Sequence, residues 1–378
     1  FLFATYHLKE DVPRRPDWAE ACERSCAIVD KSGRDLVDAL GFSAEPATGR
    51  GDRALLLRAT SGSRRAIAVL LDETEHFDQP SAHNRISPVA HGLQLAAQAE
   101  VPWVVVLRRT TLRLYPGRDG VGVGQRGQSD TFFELDLAML DPALVGLLTL
   151  IFSAEALEKD GSADQILQGS ARYAASLGNR LRERIYSDVM PPLAEAIARR
   201  LPPIGVDLDA QGLKLSYALA MRVMFRLLFV AYGEATGLLP AGRNGDYDRA
   251  SLRGFAERAA QRSEDDYAGD AASIWHQVIA LWQAVYHGNQ AWAVPAYGGD
   301  LFDPRTEEGE LIEKLDLSDA VVGPALRALL TDVTEDGVRG PVDFRSLQVR
   351  EFGTIYEGLL ECSVSLAETD LTLETSGA

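Results

Sequence analysis

The chain has 378 residues, of which 46% are hydrophobic, and a formal net charge of −17. That length allows two or three domains with substantial cores. The acidic balance excludes a general nucleic-acid-coating protein but not DNA contact by a larger protein whose basic cleft lies elsewhere.

Residues 1–40 read as helical, with Pro16-Asp-Trp18 as a helix start. From 52 to 137 the apolar residues come in short runs. Ala54–Ala59 and Ala66–Leu71 flank Thr60-Ser-Gly-Ser-Arg64, which predicts a hairpin. Pro88–Gln98 is a short helix. Val101–Leu107, Leu112–Tyr115 and Phe132–Leu137 are strands. The order α-β-β-α-β-β predicts a compact α/β sandwich over residues 1–140.

From 141 to 378 the pattern is helical. Leu144–Leu157 is apolar, and Ser162–Arg200 forms a mixed-charge helix ended by Pro202-Pro203. Gln211–Thr236 is a long helix that stops at Gly237. Shorter helices are expected near 250–262, 271–287, 308–315, 318–332 and 343–362, with an acidic, mobile loop at 262–271. The window Leu215–Tyr232 is apolar enough for a membrane, but it carries Arg222 and Arg226, and charges at mid-span are costly in lipid. It therefore reads as a buried bundle helix, with Arg222, Arg226 and Glu234 in an internal ion-pair network and a ligand role for them as the less favoured alternative. Tyr297–Asp303 is a paired-glycine turn whose Leu301 and Phe302 plug the bundle. In the final helix, Gly353 and Gly358 would each cost ~1 kcal/mol relative to Ala, so either the helix bends or something approaches its backbone closely.

Cys22, Cys26 and Cys362 make no disulfide framework and read as reduced, packed thiols of a cytoplasmic protein. No run reads as a signal peptide, and the opening Phe1-Leu-Phe-Ala4, without Met, leads us to expect a longer natural chain.

The chemistry-bearing residues concentrate at the hairpin. Asp52 begins its first strand, and Leu70-Leu-Asp-Glu-Thr-Glu75 ends its second. Paired carboxylates there suit a Mg²⁺ ion that activates water for phosphodiester cleavage. Asp52, Asp72 and Glu73, with Gln94 on the following helix, resemble the PD-(D/E)xK nuclease pattern, with Asp52 and Asp72 as metal ligands should the site be active. Thr74 stands where that family carries Lys, and Gln98 where Tyr often follows the helix Gln. The fold is thus expected to be nuclease-derived and inactive, with the carboxylates as plain solvated strand-end charges as the alternative. Arg64 or Arg65 could stand in for the Lys, although Arg transfers protons poorly.

Asp119–Gly127 is glycine-rich, but Pro116-Gly-Arg precedes it and a strand follows, so a long hairpin tip is expected rather than a cofactor loop. Met190-Pro-Pro-Leu193 lacks the Asn or Asp, and the Tyr, that an adenine methyltransferase uses on a flipped base. His7, His76, His83, His91, His276 and His287 show no metal spacing.

Several segments, in order, resemble the N-terminal region of Type IIG-like restriction–modification methylases. These are Leu2–Lys9 with Pro16-Asp-Trp18, Val101–Leu107 with Leu112–Tyr115, Phe225–Pro240, Tyr297–Asp303 and Phe352–Glu361. The resemblance implies a degenerate PD-(D/E)xK-like α/β domain at 1–140 and a helical bundle connector at 141–378. A methyltransferase domain absent from this chain would follow, transferring methyl from S-adenosylmethionine to adenine N6. On this reading S-adenosylmethionine is bound outside the chain, and Mg²⁺ is needed only if the nuclease is active. Double-stranded DNA is bound through the full-length protein. A dead nuclease domain further suggests the methylase of a phage-defence system such as DISARM or BREX, with other defence subunits as partners and no membrane. The alternatives are an active Mg²⁺-dependent restriction endonuclease domain and a non-enzymatic scaffold subunit.

Overall fold

A computed structural model describes residues 1–47, 53–81, 85–123, 127–267, 269, 271–333, 339–347 and 349–362. It divides the chain into two compact units, Phe1–Leu177 with Arg345–Val349, and Gly178–Phe344 with Arg350–Ala378. The fold is mixed α/β, with one six-stranded mixed sheet and thirteen α-helices among the described residues.

In the first unit, short π and 3₁₀ turns at His7–Arg14 lead into α1 (Trp18–Cys26) and α2 (Gly33–Ala39). The sheet follows, with β1 (Ser43–Pro46), β2 (Ala54–Arg58), β3 (Arg64–Leu71), helix α3 (Pro88–Ala99), β4 (Trp103–Arg108), β5 (Thr111–Pro116) and β6 (Phe133–Asp136). The strands lie in chain order and every neighbouring pair is antiparallel except β3 and β4, which run parallel with α3 as the crossover. Alternation along each strand sends side chains to opposite faces. Leu55, Leu57, Ala66, Ala68, Trp103, Val105 and Leu107 join one core, while Leu56, Ile67, Val69, Val104 and Val106 join the other, under α3. Burial on both faces explains the unbroken apolar run of β4. Ser87 caps α3 by accepting the Ala90 N–H, with Pro88 in the first turn.

The expected boundary at 140 lies inside the first unit. Helix α4 (Leu147–Phe152) and the start of α5 (Ser162–Arg184) add Leu148, Ile151, Phe152 and Ile166 to the first core, so this unit continues to Leu177.

In the second unit, a π turn at Ile185–Val189 sits between α5 and α6 (Met190–Arg200), so the helix expected over 162–200 is present and carries a π bulge inside it. Helix α7 (Ala210–Ala235) starts at Asp209, whose carboxylate accepts the Gln211 and Gly212 N–H groups. Around it stand α8 (Gly245–Ala250), α9 (Leu252–Ala259), α10 (Ser273–His287), α11 (Glu307–Lys314) and α12 (Asp319–Leu330). A small antiparallel pair follows, β7 (Thr331–Val333) and β8 (Arg339–Pro341), and then α13 (Val349–Leu360). Among the described residues, α7 alone is long and apolar enough to cross a membrane, and 61% of that window is buried inside the protein.

Helix α13 lies along α7. Phe225 meets Tyr356 at 5.3 Å and Tyr232 meets Phe352 at 5.5 Å between ring centroids, and Tyr217 donates to the Leu359 carbonyl at 2.8 Å. The close approach expected at the helix glycines occurs at one of them. A Cβ at Gly358 would stand 2.0 Å from the Tyr186 hydroxyl, whereas nothing lies within 4 Å of one at Gly353.

The α7 charges form no single network. Arg222 pairs with Glu308, but Glu234 has no arginine. Its carboxylate accepts from Tyr247 Oη at 2.8 Å, from the Leu252 N–H at 3.0 Å and from the Arg253 N–H at 2.7 Å, so it caps α9. Within the segment 262–271, where a mobile loop is expected, Tyr267 is buried and packs on Gly323. The thiols are free as expected but not all packed, since Cys22 is half-buried while Cys26 and Cys362 are exposed.

Candidate functional site

The sheet topology gathers one set of polar groups at the end of β3. Leu71 pairs with Arg108 of β4, Arg108 with Thr111 of β5, and Thr111 with Asp136 of β6. On the other side, the Leu70 N–H donates to the Arg53 carbonyl at 3.2 Å. Arg53, Asp72, Glu73, Glu75, Arg108 and Arg109 therefore share one end of the sheet.

Within this set the carboxylates are already engaged. The Arg53 guanidinium is ion-paired to Asp72 and, at 3.0 Å, to Glu75. The Glu75 carboxylate also accepts the Asp72 N–H at 2.9 Å and the Ser81 hydroxyl at 2.6 Å. Glu73 points away to Arg109 at 3.3 Å, while its carbonyl accepts from Arg108 at 2.9 Å. A second arginine pins the loop that carries these acids. Arg113 of β5 lies between the rings of Phe77 and Phe132, at 4.0 and 4.4 Å from their centroids. It donates to Glu134 at 2.5 Å, Asp78 at 3.0 Å and Tyr115 at 3.3 Å. Burial works against its charge, but these three partners together hold its pKa above the ordinary value. Burial also pushes the Tyr115 phenol up to about 12, so it stays a neutral partner at physiological pH.

Of the residues singled out in the sequence, Asp72 and Glu73 lie at this end of the sheet, but their carboxylates face different arginines. Gln94 is on the exposed face of α3 and does not join them. Asp52 lies outside the described residues. Arg64 and Arg65 begin β3, so they cannot replace a Lys beside Asp72 at the far end of that strand. Arg65 instead donates to the Leu157 carbonyl at 2.6 Å.

A catalytic Mg²⁺ would need near-octahedral oxygen ligands at about 2.1 Å. Asp72 and Glu75 do not fit that requirement, because Arg53 supplies a cation to both and the remaining Glu75 contacts are hydrogen bonds. Among the described residues no cluster of three His, Cys, Asp or Glu could hold a metal ion.

Sequence reasoning missed Arg53, Ser81, Arg108 and Arg109. Arg53 becomes visible only with the observed register, in which Ala54 faces Val69 and Arg53 one step outward faces Leu70. Comparison with protein families, curated proteins and solved structures returns no match to this chain.

Proposed function

We propose that this chain is the N-terminal part of an S-adenosylmethionine-dependent adenine-N6 DNA methyltransferase of a restriction–modification or phage-defence system. In this reading the first unit is a PD-(D/E)xK-like nuclease domain that no longer cleaves. The second is the helical connector to a methyltransferase domain, which binds S-adenosylmethionine and, with its recognition elements, double-stranded DNA.

One observation carries the reading of the first unit. Its β1-β2-β3-α3-β4 path, with β3 parallel to β4, delivers an acidic pair to the end of β3, and Arg53 sits on that pair as its cation. An arginine cannot bind and polarise a water as a divalent ion does, and Thr74 stands where a lysine would steady the phosphorane. The same observation disfavours the active Mg²⁺-dependent endonuclease. Exposed free thiols at Cys26 and Cys362 suit a reducing, cytoplasmic compartment.

The test has two arms. The 378-residue chain is expected to cleave neither modified nor unmodified duplex DNA in Mg²⁺ or Mn²⁺, and to bind S-adenosylmethionine no better than background. The natural gene product, expressed at full length, is expected to transfer tritiated methyl groups from S-adenosylmethionine to adenine N6. A natural product of 41.1 kDa with no methylation activity would overturn the reading and leave a scaffold subunit in its place.

A further inference from the structure

The second unit buries a cation that its own side chains do not balance by hydrogen bonding. Arg226, on α7, is 2% exposed. Its Nε donates to the Leu301 carbonyl at 2.6 Å, and its guanidinium carbon lies 5.1 Å from the Trp282 ring centroid and 5.8 Å from that of Phe302. Its Nη2 is buried with no acceptor. Two further donors nearby share that condition, Nε of Arg222, one helical turn earlier, and Nε1 of Trp282.

All three orphaned groups are N–H donors, and the two arginines among them hold one short segment. Arg222 grips the Asp300 carbonyl and Arg226 the Leu301 carbonyl of the Tyr297–Asp303 turn. Glu308 pairs with Arg222, and Glu313 is held by Gln283 at 3.0 Å. Neither carboxylate hydrogen-bonds Arg226. Burial lowers the Arg226 pKa to about 10, Arg222 adds repulsion, and Glu313 and Glu308 only partly offset it. At neutral pH the side chain is still charged. A buried, under-partnered charge is costly, and an anionic acceptor makes charge-assisted bonds about twice as strong as neutral ones.

We propose that Arg226, Arg222 and Trp282 form an anion site for a phosphate group, closed in this state by the Tyr297–Asp303 turn. The phosphate takes the site by displacing this turn. Gly298 and Gly299 both hold positive φ, at +62° and +85°, with open space where a Cβ would stand. Its backbone carbonyls occupy the guanidinium donors that the phosphate oxygens take over. The site stands independently of the methyltransferase reading, because it rests only on the donor set in the second unit.

The experiment is a thermal melt of the full chain in inorganic phosphate against chloride at matched ionic strength, with tryptophan fluorescence recorded in parallel. The wild type and a surface control, Arg199→Gln, are expected to gain about 3 °C at ten times the dissociation constant, and to go on gaining with the logarithm of phosphate concentration beyond it. Arg226→Met is expected to lose that gain while its melting temperature in chloride stays close to wild type or rises, since an apolar side chain removes an under-partnered buried charge. Should Arg226→Met fail to fold, Arg226→Lys keeps the charge without the planar fork and is expected to weaken phosphate about tenfold. The fluorescence change is expected to saturate with phosphate and to vanish in Trp282→Phe. No phosphate-specific gain in melting temperature over chloride and no saturable fluorescence change in the wild type, as when water alone fills the site, would overturn the proposal. So would an equal response in the Arg226 variants. Duplex DNA added in competition then names the source. Displacement of the phosphate response identifies the nucleic-acid backbone, and its persistence identifies a free phosphate compound.

Discussion

Glu234 gives the sharpest test of the packing in the second unit. Its side chain is buried, and burial raises its pKa from 4.5 to about 6 even though two α9 N–H groups and the Tyr247 hydroxyl favour the charged form. At about 1.36 kcal/mol per pKa unit, that rise is on the order of 2 kcal/mol. The folded pKa is the higher one, so the stabilising contribution is fully present below pH 4.5 and is lost as the pH rises through about 6. Other carboxylates titrate in the same window, so the absolute stability of the wild type does not isolate the effect, whereas its difference from Glu234→Gln does. The amide is neutral throughout and loses one acceptor, which faces the Arg253 N–H, at a pH-independent cost of about 1 kcal/mol. Urea unfolding of both proteins from pH 4 to pH 7.5 should therefore show Glu234→Gln gaining about 2 kcal/mol relative to wild type between pH 4.5 and 6.5. A difference that stays flat across that range would refute the argument, because it would mean that the Glu234 carboxylate is as well solvated folded as unfolded.

Three other substitutions probe separate features. Arg53→Ser breaks two ion pairs, but its side chain is 41% exposed, so unfolding should show a loss below about 1 kcal/mol. No Mg²⁺-dependent DNA cleavage should appear, and cleavage by this variant would show that Arg53 alone blocks the chemistry. Gly358→Ala sets a Cβ against the Tyr186 hydroxyl and should cost about 1–3 kcal/mol, whereas Gly353→Ala, with open space around it, should gain up to about 1 kcal/mol. Equal effects in denaturant melts would contradict the α13 packing. Asp332 is held by Arg180 at 2.7 Å and Arg184 at 2.5 Å, so Asp332→Ala should cost about 2–4 kcal/mol, measurable as a lower urea midpoint. A change within 0.5 kcal/mol would mean that these pairs are solvent-screened.

Periodicity made the central strands legible, because β2 through β5 each carry an apolar run bounded by turn residues. The strand β1 was missed for a physical reason. Ser43–Pro46 is an edge strand with no fully buried residue, so it carries no alternation to read. The acids at the end of β3 were found from the hairpin, but their state was not, because it depends on which arginine the register brings beside them. The α7 charges failed in a similar way. Their need for partners follows from the apolar surroundings, yet the groups that meet Arg226 and Arg222 lie 75 to 86 residues further along the chain. Glu234 finds its partners at the start of α9, a helix N-terminus rather than a side-chain cation.

The arginines bear directly on how this chain could meet DNA. A protein that holds a duplex electrostatically needs guanidinium and ammonium groups free to displace counterions from phosphates. Here many arginines are already ion-paired to carboxylates of the same chain. Arg15 is on Asp17, Arg58 on Glu45, Arg113 on Glu134 and Asp78, and Arg180 with Arg184 on Asp332. Each such pair removes a cation from the surface potential, and the net charge of −17 leaves the average field repulsive to phosphate. Long-range steering toward DNA is therefore weak for this chain by itself. Affinity would have to come either from another part of a larger protein or from a short-range site where desolvated donors outweigh the average field. The site proposed at Arg226, Arg222 and Trp282 is a candidate for the second condition. For that reason the phosphate melt with duplex competition separates a chain that contacts nucleic acid from one that only carries a domain that does.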